Sequence, residues 1–297
     1  MSARSDRPDS THPLAVQAAH WLGRNWARVS YGRLIEPTWL EMNGHPIPVV
    51  DLPSAFEGFK VAQLSDLHGG HHLPEEYLPG AVDMTMALQP DAIVLTGDFI
   101  HKGYRHVEAV AKVVGRLKAP HGVFAVLGNH DFSVRNGLGF RRFRGLHQAV
   151  ADSLTSQGIR VLRNETLPLV KGDSRIFLAG LDDLWSRECD PEQALVGLCP
   201  QTPRIVLAHN PQTVHLLGDH RCDLMLSGHT HGGQIDWPGL GRFFLGRKGK
   251  QFAAGLYKHK ETHVYVHKGI GFGLRFRFGV RPEIALLTLH RAKATLS

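Results

Sequence analysis

From Phe59 the chain runs through an extended, largely apolar stretch of the length a buried strand needs, and at once it meets Asp66-Leu67-His68. Residues two apart on an extended chain point to the same side, so Asp66 and His68 offer an oxygen and a nitrogen to one place. The same pattern recurs. Asp91 to Thr96 is an apolar run closed by Gly97-Asp98, and Gly122 to Leu127 is closed by Gly128-Asn129-His130-Asp131. Arg204 to Ala208 delivers His209-Asn210, and Leu224 to Leu226 delivers Ser227-Gly228-His229-Thr230-His231. In an α/β sheet, ligand sites collect outside the carboxyl ends of strands, so these ends are expected in one crevice.

Between the strand-like runs the period changes from two to 3.6. Glu75 to Gln89 has a helical pattern, and in Gly103 to Leu117 the residues Val107, Val110, Ala111, Val114 and Leu117 form one apolar stripe. Strand, helix and strand in turn predict an α/β fold with crossover helices on the sheet faces. Residues 140–157 read as a further helix. Residues 159–162, 167–170, 175–181, 262–268 and 283–289 read as strands, and Thr38 to Val50 as an edge strand pair turned at Asn43-Gly44.

At the N-terminal end, residues 1–12 are polar and expected to be disordered. They lead into a helical segment, with Pro13 suited to a first turn and Leu14, Ala18, Trp21, Leu22 and Val29 on one broad face edged by Arg24 and Arg28. Two readings stand for residues 13–37: a helix packed on the domain, or one lying on an anionic membrane surface with Trp at the interface. No linker splits the remainder of the chain, and 38–297 is expected to be one domain.

Composition adds bounds. A chain of 297 residues with 42% hydrophobic residues is ordinary globular protein, and a formal charge of +7 favours an anionic partner. Cys189, Cys199 and Cys222 are an odd number without a CxxC pair, which argues against a disulfide framework and fits a reducing compartment. No run of apolar residues is long enough to span a bilayer, and the first residues lack the pattern of a secretory signal. The expected location is cytoplasmic, with peripheral membrane contact as the open alternative. No aromatic and basic array of the single-strand-binding type is present.

The clustered side chains are those of a metal site. Asp66, His68, Asp98 and His231 can surround one divalent ion, and Asp98, Asn129, His209 and His229 a second, provided that Asp98 bridges. Mixed imidazole, carboxylate and amide donors suit Mn, Fe or Zn better than Mg. A water bridging two such ions loses a proton near neutral pH and becomes a nucleophile for phosphorus. The leaving oxygen then needs a proton. His130, beside Asn129 and not required as a ligand, is assigned as the general acid, with Asp131 as its orienting partner.

In order, Asp66-Leu67-His68, Gly97-Asp98, Gly128-Asn129-His130-Asp131, His209 and Gly228-His229-Thr230-His231 resemble the motifs of the calcineurin-like metallophosphoesterases. The resemblance runs from about residue 58 to the C-terminus, and the sharing of ligands between two metals given above is also that family's pattern. It implies a four-layer αββα sandwich, two mixed sheets flanked by helices. Ala208-His209-Asn210-Pro211, Ser227 to Gln234 and Arg281-Pro282-Glu283-Ile284 look like the YaeI/YkuE-type bacterial phosphodiesterase branch. Relatives of that branch include UDP-2,3-diacylglucosamine pyrophosphatases of lipid A synthesis.

The resemblance therefore implies a dinuclear metal-dependent phosphodiesterase acting on a phosphodiester or a nucleotide-sugar lipid. Hydrolysis of UDP-2,3-diacylglucosamine is the alternative, and a non-catalytic scaffold with this fold is the alternative from another class. Members of the branch often carry an export signal or anchor, and this chain has only the amphipathic segment. Further candidates stay open between two roles. Asp182 and Asp183 contact the site or cap a turn, and His71, His72 and His101 line its mouth or are solvated. Lys268, Arg275, Arg277 and Arg281 hold a phosphate or form a solvated basic face. Trp237, Phe243, Phe244 and Phe252 wall a substrate or pack in the core.

Overall fold

The computed structural model describes residues 13–70, 72–238, 241–242 and 245–292, and the side chains of 13–15, 247 and 248 are not described. In chain order the elements are α1 (Pro13–Leu34), β1 (Glu41–Val50), β2 (Lys60–Leu64), α2 (Tyr77–Ala87), β3 (Ala92–Thr96), α3 (Val107–Val114), β4 (Val123–Val126) and α4 (Leu146–Ser156). Then come β5 (Arg160–Val161), β6 (Glu165–Lys171), β7 (Ser174–Gly180), α5 (Pro191–Leu195), β8 (Arg204–Leu207), β9 (Leu224–Ser227), α6 (Arg247–Gln251), β10 (Gly255–His259), β11 (Thr262–Val266) and β12 (Glu283–Ala292). One sheet has the order β1-β12-β2-β3-β4-β5, and the other β10-β11-β9-β8-β7-β6.

Strand alternation builds the layers. Val61, Val94, Phe124 and Val126 of the first sheet meet Ile176, Leu178, Ile205, Leu207, Leu224 and Leu226 of the second in the core between the sheets. Their neighbours Ala62, Leu64, Ile93, Leu95 and Ala125 point the other way and pack on α2, α3 and α4. The outer face of the second sheet, Ala179, Val206, Met225 and Val264, is covered by Ala194 and Leu195 of α5 and by Val214 and Leu217. Helices, sheet, sheet and helices make the expected αββα sandwich. β2, β3 and β4 are parallel, as are β7, β8 and β9, so their carboxyl ends open along one rim.

Two local expectations are corrected. Asn43-Gly44 does not turn a hairpin: β1 is one strand, parallel to β12 from Glu41 opposite Glu283 to Val50 opposite Ala292. Neither Asn43 nor Gly44 is among the positive-φ residues that a type I′ turn needs, and the Asn43 amide instead donates to Glu283 Oε2 at 2.6 Å. At the sheet edge, Pro46 and Pro48 of β1 can lack N–H donors without breaking a ladder. The helix expected from residue 140 starts only at Leu146, after Gly145 in a left-handed conformation (φ 75°).

The helix expected within residues 13–37 is α1. Only its C-terminal end packs on the domain, where Arg277 N donates to Gly32 O at 2.8 Å and Tyr31 meets Phe278 edge-on at 6.2 Å. A Cβ at Gly32 would stand 2.8 Å from Arg277 O, so the approach requires glycine. The apolar residues further up the helix are uncovered: Trp21 is 59%, Leu22 61% and Trp26 74% exposed. No helix among the described residues is long and apolar enough to cross a membrane. The tail 1–12, His71, Phe243 and Phe244 lie outside the described residues.

Candidate metal centre

The strand ends do converge, and the backbone turns sharply to aim them. Asp66 (φ 52°), His68 (φ 45°), Asp98 (φ 55°), His229 (φ 73°) and His231 (φ 51°) all sit in the left-handed region that non-glycine residues usually avoid. The turns are tied across the rim: Asp66 N donates to Gly97 O at 2.9 Å, His68 N to Asp98 O at 2.9 Å, and Gly228 N to His209 O at 2.9 Å.

Each donor atom is fixed from behind. Asp98 Oδ1 accepts from His130 N at 2.8 Å, which leaves Oδ2 facing the centre, 3.6 Å from His68 Nε2 and 3.3 Å from His209 Nε2. His209 Nδ1 lies 2.7 Å from the Thr96 carbonyl, so one proton belongs there and Nε2 is the nitrogen turned to the centre. The Asn129 amide donates to Val134 O at 2.7 Å, which turns Oδ1 inward to 2.9 Å from His229 Nδ1. Asp66 accepts from Ser65 Oγ at 2.6 Å and from His229 N at 3.1 and 3.0 Å, and its Oδ1 lies 3.2 Å from His231 Nε2.

This donor set fits divalent ions. Asp66, His68 and His231, and again Asp66, Asp98 and His209, bring one ligand atom each to within 4.8 Å of one another, and every one of these residues is buried. The Nε2 atoms of His68 and His231 face each other at 2.9 Å on stacked rings, although imidazole nitrogens gain most when a cation stands between them. Buried His68 Nδ1 has no hydrogen-bond partner among the described residues.

The electrostatics agree. Burial opposes ionisation of Asp66 and Asp98, but the neighbouring histidines outweigh it and hold both carboxyls well below the usual range. His209 is raised well above an ordinary histidine: burial works against this, while Asp98 and Asp66 prevail. His229 is pushed down to about 3 by burial and by His209. A buried, proton-holding His209 between carboxylates occupies the place a cation would take, and metal binding would release that proton.

Of the proposed catalytic pair, His130 stands at the rim with its Nδ1 2.9 Å from the His101 carbonyl and its ring edge-on to His68 at 4.6 Å. Asp131 does not orient it. Its carboxylate points into the protein, where it accepts from Gly128 N at 2.9 Å and Phe99 N at 3.0 Å, and burial followed by the charge of Asp98 raises it to about 8. Asp131 therefore organises the loop that carries Asn129, and the His101 backbone does the orienting. No residue-type pattern signals a backbone carbonyl, which is why sequence reasoning missed it.

Asp183 caps the short turn Leu184–Ser186, accepting from Trp185 N and Ser186 N at 2.8 and 3.0 Å, and Asp182 pairs with Arg163 at 2.9 Å. The turn sets Trp185 edge-on to His229 at 4.5 Å, a neighbour of the centre not foreseen in the sequence. The His101 ring lies 5.8 Å from His68 and 5.6 Å from His130, and the His72 ring lies 4.9 Å from His101. The C-terminal cations are mostly spoken for. Lys268 binds Glu41 at 2.6 Å, Arg281 binds Glu41 at 3.5 Å, and Arg277 is fully buried, donating to Gly269 O, Gly271 O and Val280 O with its guanidinium 3.4 Å from His231 Nδ1. Phe252 is in the core, and Trp237 packs on Phe278 at 4.9 Å.

Comparison with known proteins gives the same direction. The family model for calcineurin-like phosphoesterases matches residues 59–233. The uncharacterized metallophosphoesterase YkuE of Bacillus subtilis (strain 168) is 37% identical over 264 residues, which cover 87% of this chain and 88% of YkuE. Phosphodiesterase YaeI of Escherichia coli (strain K12) is 33% identical over 260 residues, 87% of this chain and 92% of YaeI. UDP-2,3-diacylglucosamine pyrophosphatase LpxG of Chlamydia trachomatis serovar D is 31% identical over 320 residues, 92% of this chain and 94% of LpxG.

Proposed function

The chain belongs to the calcineurin-like phosphoesterase family, and from that premise we propose that residues 38–297 form a dinuclear metal-dependent phosphodiesterase. One observation carries the reading. A single oxygen, Asp98 Oδ2, faces the His68 side and the His209 side of the centre at 3.6 and 3.3 Å, the position a bridging carboxylate takes. Asp66, His68, Asp98 and His231 would hold one ion and Asp98, Asn129, His209 and His229 the other, with Mn, Fe or Zn suited to the mixed donors. When bound, the two ions supply Lewis acidity to a phosphoryl group and acidify a water.

The chain's own residues do the rest. His130, protonated, keeps one proton on Nδ1 for the His101 carbonyl at 2.9 Å and presents the other on Nε2 to the leaving oxygen. Burial lowers its basicity, which makes the imidazolium a stronger acid. The left-handed backbone at the ligands and the carbonyl and amide bonds behind them hold the donors in place, so little reorganisation accompanies the reaction.

Nucleotide-sugar lipid diphosphates are the second substrate reading, and α1 favours it. Its exposed Trp21, Leu22, Trp26 and Val29, with Arg24, Arg28 and Arg33, would lie on an anionic membrane surface. The deciding assay is hydrolysis of bis(p-nitrophenyl) phosphate with Mn, Zn or Mg by wild type and His130→Ala. We expect metal-dependent activity that falls about 10²- to 10⁴-fold in the variant while bound metal stays near two ions. Full metal loading with no hydrolysis of any diester or diphosphate would leave a scaffold. Vesicles containing phosphatidylglycerol should bind wild type and lose Trp21→Ser/Trp26→Ser; equal binding would remove the membrane reading.

A further inference from the structure

A third cluster of imidazoles adjoins the two ion positions. His68, His101 and His130 each bring one ring nitrogen to within 4.8 Å of the others. Two of the three rings have a nitrogen without a partner: His68 Nδ1 and His101 Nδ1 are buried and make no hydrogen bond among the described residues. His130 keeps Nδ1 on the His101 carbonyl at 2.9 Å, so Nε2 is the nitrogen it can offer. A buried polar atom left unpaired is costly, and two such atoms in one cluster point to a shared partner.

The donor set names the partner. Around a tetrahedral zinc ion, nitrogens at about 2.0–2.1 Å stand roughly 3.4 Å apart, so the half-buried rings of His101 and His130 need to close by at most about 1.4 Å. A cavity of ≈ 430 Å³, lined by both rings, leaves room for a water as fourth ligand. The cluster holds no carboxylate, so it suits zinc and gives Mn or Mg no oxygen. Lys102 and Arg135 line the same cavity and oppose a cation, whereas Asp66 and Asp98 attract one to the centre. The cluster therefore fills last.

From this placement we infer that His68, His101 and His130 form a third, zinc-selective site beside the dinuclear centre, and that zinc bound there stops hydrolysis. The site stands on its own geometry. Its effect on hydrolysis rests on the phosphoesterase reading above, because there His130 carries the proton for the leaving oxygen. With the Nε2 electron pair on an ion, His130 has no proton to give from that nitrogen. His68 faces both ways: Nε2 stands 3.6 Å from Asp98 Oδ2 at the centre, and Nδ1 is the nitrogen left for the third ion. Its Nδ1 proton passes to solvent as that ion binds. Zinc at two ions per chain then sustains the reaction, and zinc in excess arrests it.

Metal counting and hydrolysis test the two parts separately. Full-length protein carrying two zinc ions is dialysed against rising buffered free zinc, or manganese, and bound metal is measured by atomic absorption for wild type, His101→Phe and His130→Phe. Each variant that retains the first two ions reports on the third. We expect wild type to take up one saturable further equivalent of zinc and none of manganese, and both variants to stop at two. Over the same zinc range, wild-type hydrolysis of bis(p-nitrophenyl) phosphate should fall at least tenfold as the third ion binds, and His101→Phe should keep its own two-ion rate. A wild type that stops at two ions, or a third equivalent that survives in either variant, overturns the site. A third equivalent with undiminished hydrolysis overturns its inhibitory role. Two-zinc wild type that hydrolyses no diester counts against the phosphoesterase reading instead, and the metal count still decides the site.

Discussion

Gly269→Ala perturbs a ligand from outside the ligand set. A Cβ at Gly269 would stand 2.8 Å from His231 Nδ1, 3.2 Å from His231 Cε1 and 3.0 Å from Asp66 Cβ. The ring would need to retreat by roughly 0.6 Å to regain ordinary contact, yet behind it His68 is stacked with Nε2 only 2.9 Å away. Two costs arise. Gly269 has φ 77°, so alanine there strains the backbone by about 1–2 kcal/mol. Displacing the ring costs a further 1–3 kcal/mol or so as overpacking. Because metal–ligand distances tolerate only about 0.2 Å, we expect metal affinity to fall roughly 10- to 100-fold.

Gly158→Ala separates the two, for it has φ 83° with nothing within 4 Å of its Cβ. Denaturant unfolding of both variants without metal, and calorimetric titration of Mn or Zn into each, measures the terms. The control should lose about 1–2 kcal/mol of stability and keep wild-type metal affinity. If Gly269→Ala binds metal as tightly as the control, His231 does not hold an ion in this geometry and the reasoning fails.

Three further outcomes are expected. Cys199 is exposed and its thiol is lowered by hydrogen bonds from the Gln201 and Thr202 region, whereas burial pushes Cys189 up to about 12 and raises Cys222 further. Iodoacetamide mapped by mass spectrometry should therefore label Cys199 first, at a pH below the ordinary thiol range, and the other two only on unfolding. Burial and the Asp98 charge raise Asp183 to about 6, so in metal-stripped protein its protonated form favours folding below pH 4 and that contribution is lost as pH rises through 6. Relative to Asp183→Asn, wild type should lose up to about 3 kcal/mol across that window; a flat difference would refute the shift. Arg277→Met keeps the volume but orphans the carbonyls of Gly271 and Val280, while Gly269 O keeps the Glu283 N–H at 3.3 Å, so urea unfolding should show a loss of about 1–3 kcal/mol.

The candidate rim was readable because its logic is local: an apolar run of four or five residues followed at once by Asp, Asn or His needs nothing distant to be recognised. What stayed hidden depends on partners far along the chain. Asn43-Gly44 has the local chemistry of a hairpin, but Glu283, 240 residues away, recruits the Asn43 amide into a strand. Adjacency in sequence also misled at Asp131, where neighbouring His130 suggested a pair and the carboxylate turned instead to Gly128 N. The periodicity of α1 marked an apolar face without saying what covers it, and Lys268 and Arg281 looked free until Glu41 arrived from the other end of the chain.

The parallel embrace of β1 and β12 bears on how this protein is made. Of the described strands in this sheet ribosomes deliver β1 first and β12 last, and β12 takes the place between β1 and β2. Throughout synthesis β2 therefore presents one unpaired edge, and Ile47 and Val49 of β1 have no strand beside them. Until β12 arrives the nascent chain is an open-edged sheet prone to pair with another copy. A chain interrupted before Glu283 would thus be an aggregation hazard rather than a slightly shorter enzyme.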